Sequence, residues 1–125
     1  MMRNMLKSKI HRATVTDADL NYDGSITVDV GLMEAANMIP HELVHVWDVN
    51  NGERFETYVI PGERGSGTIC VNGSAARRVH HGDLIIIASF TWLDEAAALR
   101  HEPEVVLVDQ QNHIRKKNGV AVEAA

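Results

Sequence analysis

The sequence predicts one mainly β domain, a small barrel or sandwich with short helical plugs. The first reason is that apolar and polar residues alternate in many short runs, which is the period of a half-buried strand. The second is that hairpin-type dipeptides, Asp23-Gly24 and Asn51-Gly52, separate such runs. The third is size, since 125 residues with 45% hydrophobic residues suffice for one modest core.

Seven segments are predicted as strands. In chain order they are residues 11–20, 25–30, 44–49, 54–60, 67–72, 83–90 and 104–109. Two pairs of neighbouring segments are predicted to form hairpins, the first across Asp23-Gly24 and the second across residues 50–53. The run at 84–88 is apolar throughout, which predicts a strand buried on both faces.

Three short helices are predicted between these strands. The first covers residues 31–38. The second covers 73–82, with Ser74 as its N-cap and Gly82 as its stop signal. The third covers 93–100, with an acidic residue near its start and a basic residue in its last turn, as the helix dipole favours.

Charge and cysteine content exclude several classes of function. The net charge is −5 and the basic residues are mostly scattered, which argues against nucleic acid as a partner. No apolar run is long enough to span a membrane, and the N-terminal segment lacks the apolar core of a signal peptide. Cys70 is the only cysteine, so no intrachain disulfide is expected and the cytoplasm is the expected location. Residues from about 112–125 are expected to form a loosely ordered tail.

The segment HELVH at 41–45 matches the H-E-x-x-H pattern of zinc hydrolases. On a helix, His41 and His45 would bind zinc and Glu42 would act as general base. The residues that follow alternate up to a hairpin turn, which favours a strand instead. In a strand the two histidines lie about 13 Å apart, too far to share one zinc ion. The strand is the favoured prediction, and the zinc hydrolase is kept as an alternative.

The Gly24-Ser25 bond has two interpretations. In the first it is the end of a turn, and the dipeptide alone favours this one. In the second the Ser25 hydroxyl attacks the Gly24 carbonyl, and the chain cuts itself and leaves a pyruvoyl group at the new N-terminus. That chemistry requires an unhindered glycine carbonyl, a donor for the developing oxyanion, and a turn that keeps the hydroxyl close.

Six segments taken together decide between these interpretations. They are MLKSKIHRATVT (5–16), YDGSITVD (22–29), NGERFETYVI (51–60), ERGSG (63–67), VNGSAA (71–76) and GDLIIIAS (82–89). In order and spacing they resemble the pyruvoyl-dependent aspartate 1-decarboxylase family. The resemblance covers nearly the whole chain to about residue 90, and co-linear motifs are far more specific than any one of them.

The resemblance implies a six-stranded double-psi β-barrel and a homotetramer with active sites between subunits. It implies self-cleavage into a 1–24 chain and a 25–125 chain, with pyruvoyl made from Ser25 as the cofactor, and it leaves open whether a maturation factor assists. The implied reaction converts L-aspartate to β-alanine and CO₂, a precursor supply for pantothenate and coenzyme A. A Schiff base between the substrate amine and the pyruvoyl ketone would take up the electrons that CO₂ leaves behind.

The family's site residues are expected here wherever the letters match. Thr57 is expected to contact the Gly24 carbonyl during cleavage and the substrate afterwards, and Tyr58 to protonate the substrate carbon. Arg54 and Lys9 are expected to bind substrate carboxylates. The further substrate contacts that the family implies are Asn72, Gly73, Ser74 and Ala75, with Ser74 where alanine is common. If the precursor never cleaves, the alternative is a non-catalytic barrel that binds a small ligand.

Overall fold

The computed structural model describes residues 1–122, and within them the chain forms ten strands, two α-helices and one 3-10 helix. The strands are β1 Met2–Thr14, β2 Asp17–Asp19, β3 Ser25–Asp29, β4 Leu43–Asp48, β5 Arg54–Gly62, β6 Ile69–Asn72, β7 Leu84–Asp94, β8 Glu104–Val108, β9 Ile114–Lys117 and β10 Val120–Ala121. The helices are α1 Val30–Ala35, the 3-10 helix Gly73–Arg78 and α2 Glu95–Arg100. No helix within the described residues is long and apolar enough to cross a membrane.

The strands follow one hydrogen-bonded order, β10-β9-β8-β1-β7-β4-β5-β3-β6-β2. The six neighbours β1, β7, β4, β5, β3 and β6 curve into a barrel whose two ends are linked by the chain, because β2 follows β1 after two residues and pairs in parallel with β6. At the junction, the Thr16 amide donates to the Ile69 carbonyl at 2.8 Å. The predicted mainly β fold with short helices is therefore confirmed, and the barrel has the six strands that the double-psi expectation requires.

The core lies inside this barrel and is lined by alternate residues of its strands. The period-2 geometry of a strand sends every second side chain inward, and β-branched residues fill those positions. The largest fully buried side chains are Ile10, Ile26, Met33, Ile69, Ile85, Ile87, Val15, Val28, Val44, Val46, Val59 and Val71. Helix α1 closes one part of the core with Leu32 and Met33.

One predicted hairpin is confirmed and the other is wrong. Strands β4 and β5 pair antiparallel across the Asn51-Gly52 turn. Strands β2 and β3 do not pair with each other, because β6 lies between them. The physical reason is visible at the dipeptide, since neither Asp23 nor Gly24 has the positive φ that a two-residue type I′ turn requires. Residues 20–24 instead carry the chain past the end of β6.

The segment predicted as one strand at 11–20 is divided, because it contains the end of β1 and all of β2. All three helices are shorter than predicted, and the middle one is a 3-10 helix rather than an α-helix. In β7, Leu84 and Ile86 are partly exposed, so the apolar run is not buried on both faces within the single chain. Beyond residue 112 the described chain forms β9 and β10, while the looseness expected of the tail stays a prediction and residues 123–125 lie outside the described part.

A buried carboxylate fixes the end of β3. Asp29 is 4% exposed, and its Oδ1 accepts hydrogen bonds from the Gly31 and Gly65 amides at 2.8 and 3.2 Å. Its Oδ2 accepts from the Gly67 amide at 2.9 Å. Gly65 and Gly67 both have positive φ, which explains why the loop ERGSG contains glycines at these positions. The hydrogen bonds from Gly65 and Gly67 thereby attach the ERGSG loop to the end of β3, the strand that begins with Ser25.

Two carboxyl groups face each other beside the β4–β5 turn. Asp48 is 3% exposed, and its Oδ1 accepts from the Asn50 and Asn51 amides. Its Oδ2 has no hydrogen-bond donor and faces the carboxylate of Asp83, which accepts from the His80 amide. Burial and the neighbouring Asp83 raise the pKa of Asp48, while the pKa of Asp83 is lowered by the hydrogen bond with Asp48.

We expect Asp48→Asn to stabilise the protein at neutral pH. The folded pKa of Asp48 is raised, so its ionised form destabilises the native state as pH rises above the ordinary aspartate range. An asparagine keeps the acceptor and adds a donor toward Asp83, and relief of an unpartnered buried group is worth about 1–3 kcal/mol. Thermal unfolding from about pH 4 to 7 should show a gain that grows with pH. Glu102→Gln, which removes an exposed charge, should show no such trend, and an equal gain at every pH would contradict the assignment.

Candidate active site

Ser25 is the first residue of β3 and is 1% exposed. Its hydroxyl donates to the Asp23 carbonyl at 2.9 Å and accepts from the Asn72 side-chain amide at 3.1 Å. These two contacts fix the hydroxyl of a buried serine beside its own peptide bond to Gly24. In the backbone ladder, Ser25 is directly opposite Asn72, so both residues stand at the end of a paired segment.

The Asn72 side chain is the centre of this site. It is 3% exposed, and its Nδ2 donates both to Ser25 Oγ and to Thr27 Oγ1, the latter at 3.0 Å. Its Oδ1 lies 3.2 Å from the sulfur of Cys70. Both donor positions of the amide and one acceptor position of its oxygen are thus used.

Gly73 lies against the backbone of Gly24. Gly73 has φ +74°, and a Cβ placed on it would lie 2.6 Å from Gly24 Cα and 2.8 Å from Gly24 N. Gly24 itself has no positive φ, and a Cβ there would meet nothing within 4 Å. Neither crowding nor strain within this chain therefore explains the glycine at 24. The position where a side chain would collide with the Gly24 backbone is residue 73, which therefore requires glycine.

Thr57 and Tyr58 lie on β5, the parallel neighbour of β3. The parallel pairing begins at Ile26 and Val59, so Ser25 and Tyr58 are the residues that come just before it on the two strands. Both side chains line a shallow groove of about 600 Å³ together with His41, Leu43 and Glu56. Tyr58 is 36% exposed. Among residues 1–122 no hydrogen bond joins Thr57 to the Gly24 carbonyl, so that predicted contact is not made in the uncut single chain.

The predicted cationic residues are not gathered around Ser25 within one chain. Arg54 lies on the exposed face of β5, four residues before Tyr58, with its guanidinium 4.5 Å from the centre of the Trp47 ring. Lys9 lies on β1, which β7 and β4 separate from β5. Ser74 and Ala75 follow Gly73 in the 3-10 helix, where Ser74 is exposed. The single chain therefore brings together the serine, the asparagine and the glycines, and leaves the cations apart.

Sequence reasoning missed Thr27 and Cys70. Both contact Asn72 and both are two residues from a predicted site residue, Thr27 after Ser25 and Cys70 before Asn72. Because side chains on a strand alternate, positions i and i+2 share a face. That period was the signal that could have identified both residues from the sequence.

The HELVH segment does not form a helix. His41 and Glu42 lie in a turn, where His41 has φ +74°, and the next residues begin β4 as predicted. Glu42 is paired with Lys7 Nζ at 2.6 Å and also accepts from the Ser89 hydroxyl. Burial would raise the pKa of Glu42, but the hydrogen bonds from Lys7 and Ser89 outweigh it and lower the pKa. No group of three potential metal ligands exists among the described residues.

The comparisons with known proteins agree on one family. The sequence model of the aspartate decarboxylase family matches residues 1–115. The aspartate 1-decarboxylase of Syntrophus aciditrophicus is 62% identical over 92% of this chain and 99% of its own length. The aspartate 1-decarboxylase of Neisseria meningitidis is 60% identical over 92% of this chain and 91% of its own length. That of Albidiferax ferrireducens is 53% identical over 100% of this chain and 93% of its own length. Among solved structures, the rationally designed mkDPBB_sym_86 protein covers 63% of this chain and 91% of its own at 14% identity and a TM-score of 0.47.

We expect Gly73→Ala to displace the backbone at Gly24 as well as to destabilise the backbone at residue 73. Alanine costs about 1–2 kcal/mol in the left-handed region, and here its Cβ would also overlap Gly24. The matched control is Gly82→Ala, because Gly82 has φ +92° with nothing within 4 Å of the added Cβ. Thermal unfolding and backbone amide NMR shifts should separate the two. Both changes are compared in chains kept uncut by Ser25→Ala. There Gly73→Ala should cost more and shift the amide resonances of residues 24 and 25, and equal costs with unchanged resonances would contradict the contact.

Proposed function

We propose that this chain, which belongs to the aspartate decarboxylase family, cuts itself at Gly24-Ser25 and uses the pyruvoyl group so formed to decarboxylate L-aspartate to β-alanine. The observation that carries the proposal is the buried Ser25 hydroxyl, held by Asn72 next to the bond to be cut. An ordinary turn serine would be exposed and free to rotate. Pantothenate and coenzyme A synthesis would consume the product.

The proposed self-cleavage uses only atoms of the chain and water. Ser25 Oγ bonds to the Gly24 carbonyl carbon, the bond from that carbon to the Ser25 nitrogen breaks, and the hydroxyl proton ends on that nitrogen. Water takes the α-proton of residue 25 in the resulting ester while the Cβ–Oγ bond breaks, and Oγ departs with the bonding electrons in the Gly24 carboxylate. Water then replaces the nitrogen of the dehydroalanine, and ammonia and the pyruvoyl end are the products. The Asn72 N–H fits a donor to Oγ.

The residues around Ser25 fit a pyruvoyl group at this position. When present, it supplies a ketone that binds the substrate amine and accepts the electrons released with CO₂. Asn72 retains an N–H directed at position 25, and Gly73 leaves the approach free of a side chain. Tyr58, which comes just before the residue that pairs with Ile26, is the proposed donor of the proton to the substrate carbon. Thr57 is proposed to steady the Gly24 carbonyl during cleavage.

Substrate carboxylates need cations, and one chain does not supply them near Ser25. Arg54 is suited to a bidentate grip and Lys9 to a point charge. Both are on outward-facing parts of the barrel, and exposed apolar side chains such as Leu43 lie beside Tyr58. We therefore propose a homotetramer in which neighbouring chains complete each site. A cytoplasmic location belongs to the same proposal, which leaves open whether a maturation factor assists.

Ser25→Ala tests the proposal most directly. Denaturing mass spectrometry of the wild-type protein should show a 1–24 chain and a 25–125 chain with pyruvoyl at its N-terminus. The variant should remain one uncut chain and release no β-alanine, because it has no nucleophile. Ser66→Ala, in a loop away from the site, should cleave normally. A variant at 25 that still released β-alanine would exclude the pyruvoyl mechanism, and an uncut, inactive wild type would favour the ligand-binding barrel.

Tyr58→Phe separates cleavage from turnover. The change keeps the ring and removes only the hydroxyl, so cleavage and the capture of aspartate by borohydride should be unaffected. General acid catalysis is typically worth about 10²–10⁴-fold, and kcat should fall by that order. The other tyrosine provides the comparison, since Tyr22→Phe should keep kcat near the wild-type value. Loss of turnover in Tyr22→Phe alone would assign the proton to Tyr22 instead.

A further inference from the structure

The Asn72 amide is held by two side chains that the proposed mechanism does not use. We propose that Cys70 and Thr27 are positioning residues that keep the N–H of Asn72 directed at Ser25 Oγ, and that cleavage depends on this orientation. The inference rests on the proposed self-cleavage and deepens it. Neither residue touches the bond that is cut, and each acts through Asn72.

The two residues form a pair across the ladder between β3 and β6. Thr27 lies opposite Cys70, as Ser25 lies opposite Asn72, so all four side chains share one region of the sheet. Thr27 Oγ1 accepts from Asn72 Nδ2 at 3.0 Å, and the Cys70 sulfur lies 3.2 Å from Asn72 Oδ1. The amide is therefore held at both its oxygen and its nitrogen.

The Cys70 thiol determines whether the oxygen or the nitrogen of the Asn72 amide lies next to it. An amide oxygen only accepts hydrogen bonds, so it is satisfied by an S–H donor, whereas sulfur is a weak acceptor for an N–H. Burial and the nearby Asp17 and Asp19 raise the pKa of Cys70, so the thiol stays protonated near neutral pH. A reversed amide would turn its oxygen toward Ser25, whose hydroxyl already donates to the Asp23 carbonyl. Ser25 Oγ would then have no donor.

The donor at Oγ matters most at one step. When the Cβ–Oγ bond of the ester breaks, the electron pair stays on Oγ and negative charge develops there. An N–H directed at that atom stabilises the charge. During the earlier attack the hydroxyl proton passes to the Ser25 nitrogen, and Oγ does not end as an anion. Loss of the amide orientation should therefore slow release of residues 1–24 from the ester more than formation of the ester.

The experiment measures cleavage of freshly purified precursor in four variants. Cys70→Ala and Thr27→Val remove the contacts to Asn72, whereas Cys70→Ser replaces the thiol by a hydroxyl donor and Thr27→Ser retains the hydroxyl. Intact mass over time should show cleavage about tenfold slower in the first two, the order expected for one net hydrogen bond, and within about threefold of wild type in the second two. Hydroxylamine should capture the accumulating ester as a 1–24 hydroxamate and a chain that begins with an unmodified Ser25.

A control and a double variant exclude a merely structural effect. Thr16→Val removes another hydroxyl that is hydrogen-bonded to β6, at Ile69, without touching Asn72. It should lower the melting temperature and leave the cleavage rate unchanged. Combined with Asn72→Ala, the change Cys70→Ala should slow cleavage no further, because the residue acts through Asn72.

The outcomes separate this inference from the proposed function. Wild-type cleavage with unchanged rates in Cys70→Ala and Thr27→Val would overturn the positioning role and leave self-cleavage standing. Slow cleavage in which hydroxylamine captures no accumulated ester would also overturn it. So would slow cleavage that Cys70→Ser and Thr27→Ser share with Cys70→Ala and Thr27→Val. A wild-type chain that never cleaves would instead overturn the proposed function. If Cys70→Ala does not fold, Thr27→Val carries the same test through the other contact.

Discussion

The position of β3 is the constraint on which the rest of the site depends. The strand lies between β5 in parallel and β6 in antiparallel pairing, with Ile26 and Val28 fully buried. Its last residue, Asp29, is held by three backbone amides of glycines, and its first residue, Ser25, by the side chain of Asn72. Four of its five residues are buried, and a slip of one residue would move Ile26 and Val28 off the core-facing side, so the register is firmly specified. The serine is thus fixed by the fold rather than by its turn.

The two segments that flank the peptide bond before Ser25 differ in burial and in backbone pairing. Ser25 is buried, whereas Tyr22, Asp23 and Gly24 are exposed and form no strand pairs. Conformational strain is not located at Gly24 itself, and the close contact comes from Gly73 after the end of β6. An attack by a hydroxyl on its own preceding carbonyl needs the nucleophile held and the carbonyl able to move toward it. In this structure the buried hydroxyl of Ser25 and the exposed, unpaired Gly24 are on the two sides of the same peptide bond.

The sequence predicted what depends on local pattern and missed what depends on distant contacts. Alternation and turn residues identified the β4–β5 hairpin and the mainly β class. The Asp23-Gly24 hairpin failed because β6, more than forty residues later in the sequence, pairs between the two strands. The same strand brings Cys70 and Asn72 to Ser25. Alternation along a strand groups Cys70 with Asn72 on one face, but their approach to Ser25 follows from the strand order. The family resemblance named Lys9 and Arg54, but one chain does not bring them to Ser25.

The barrel is also built so that a cut at residue 24 would not release the N-terminal piece. Residues 1–24 contain β1, which pairs with β7 along most of its length and with β8 in parallel, and β2, which pairs with β6. They also place Ile10, Ala13 and Val15 in the core. Removing these side chains from the core would expose apolar surface worth roughly 1.5–3 kcal/mol for each large residue. The cleaved chains should therefore stay together, and the new N-terminus at residue 25 should remain where β5, β6 and Asn72 hold β3.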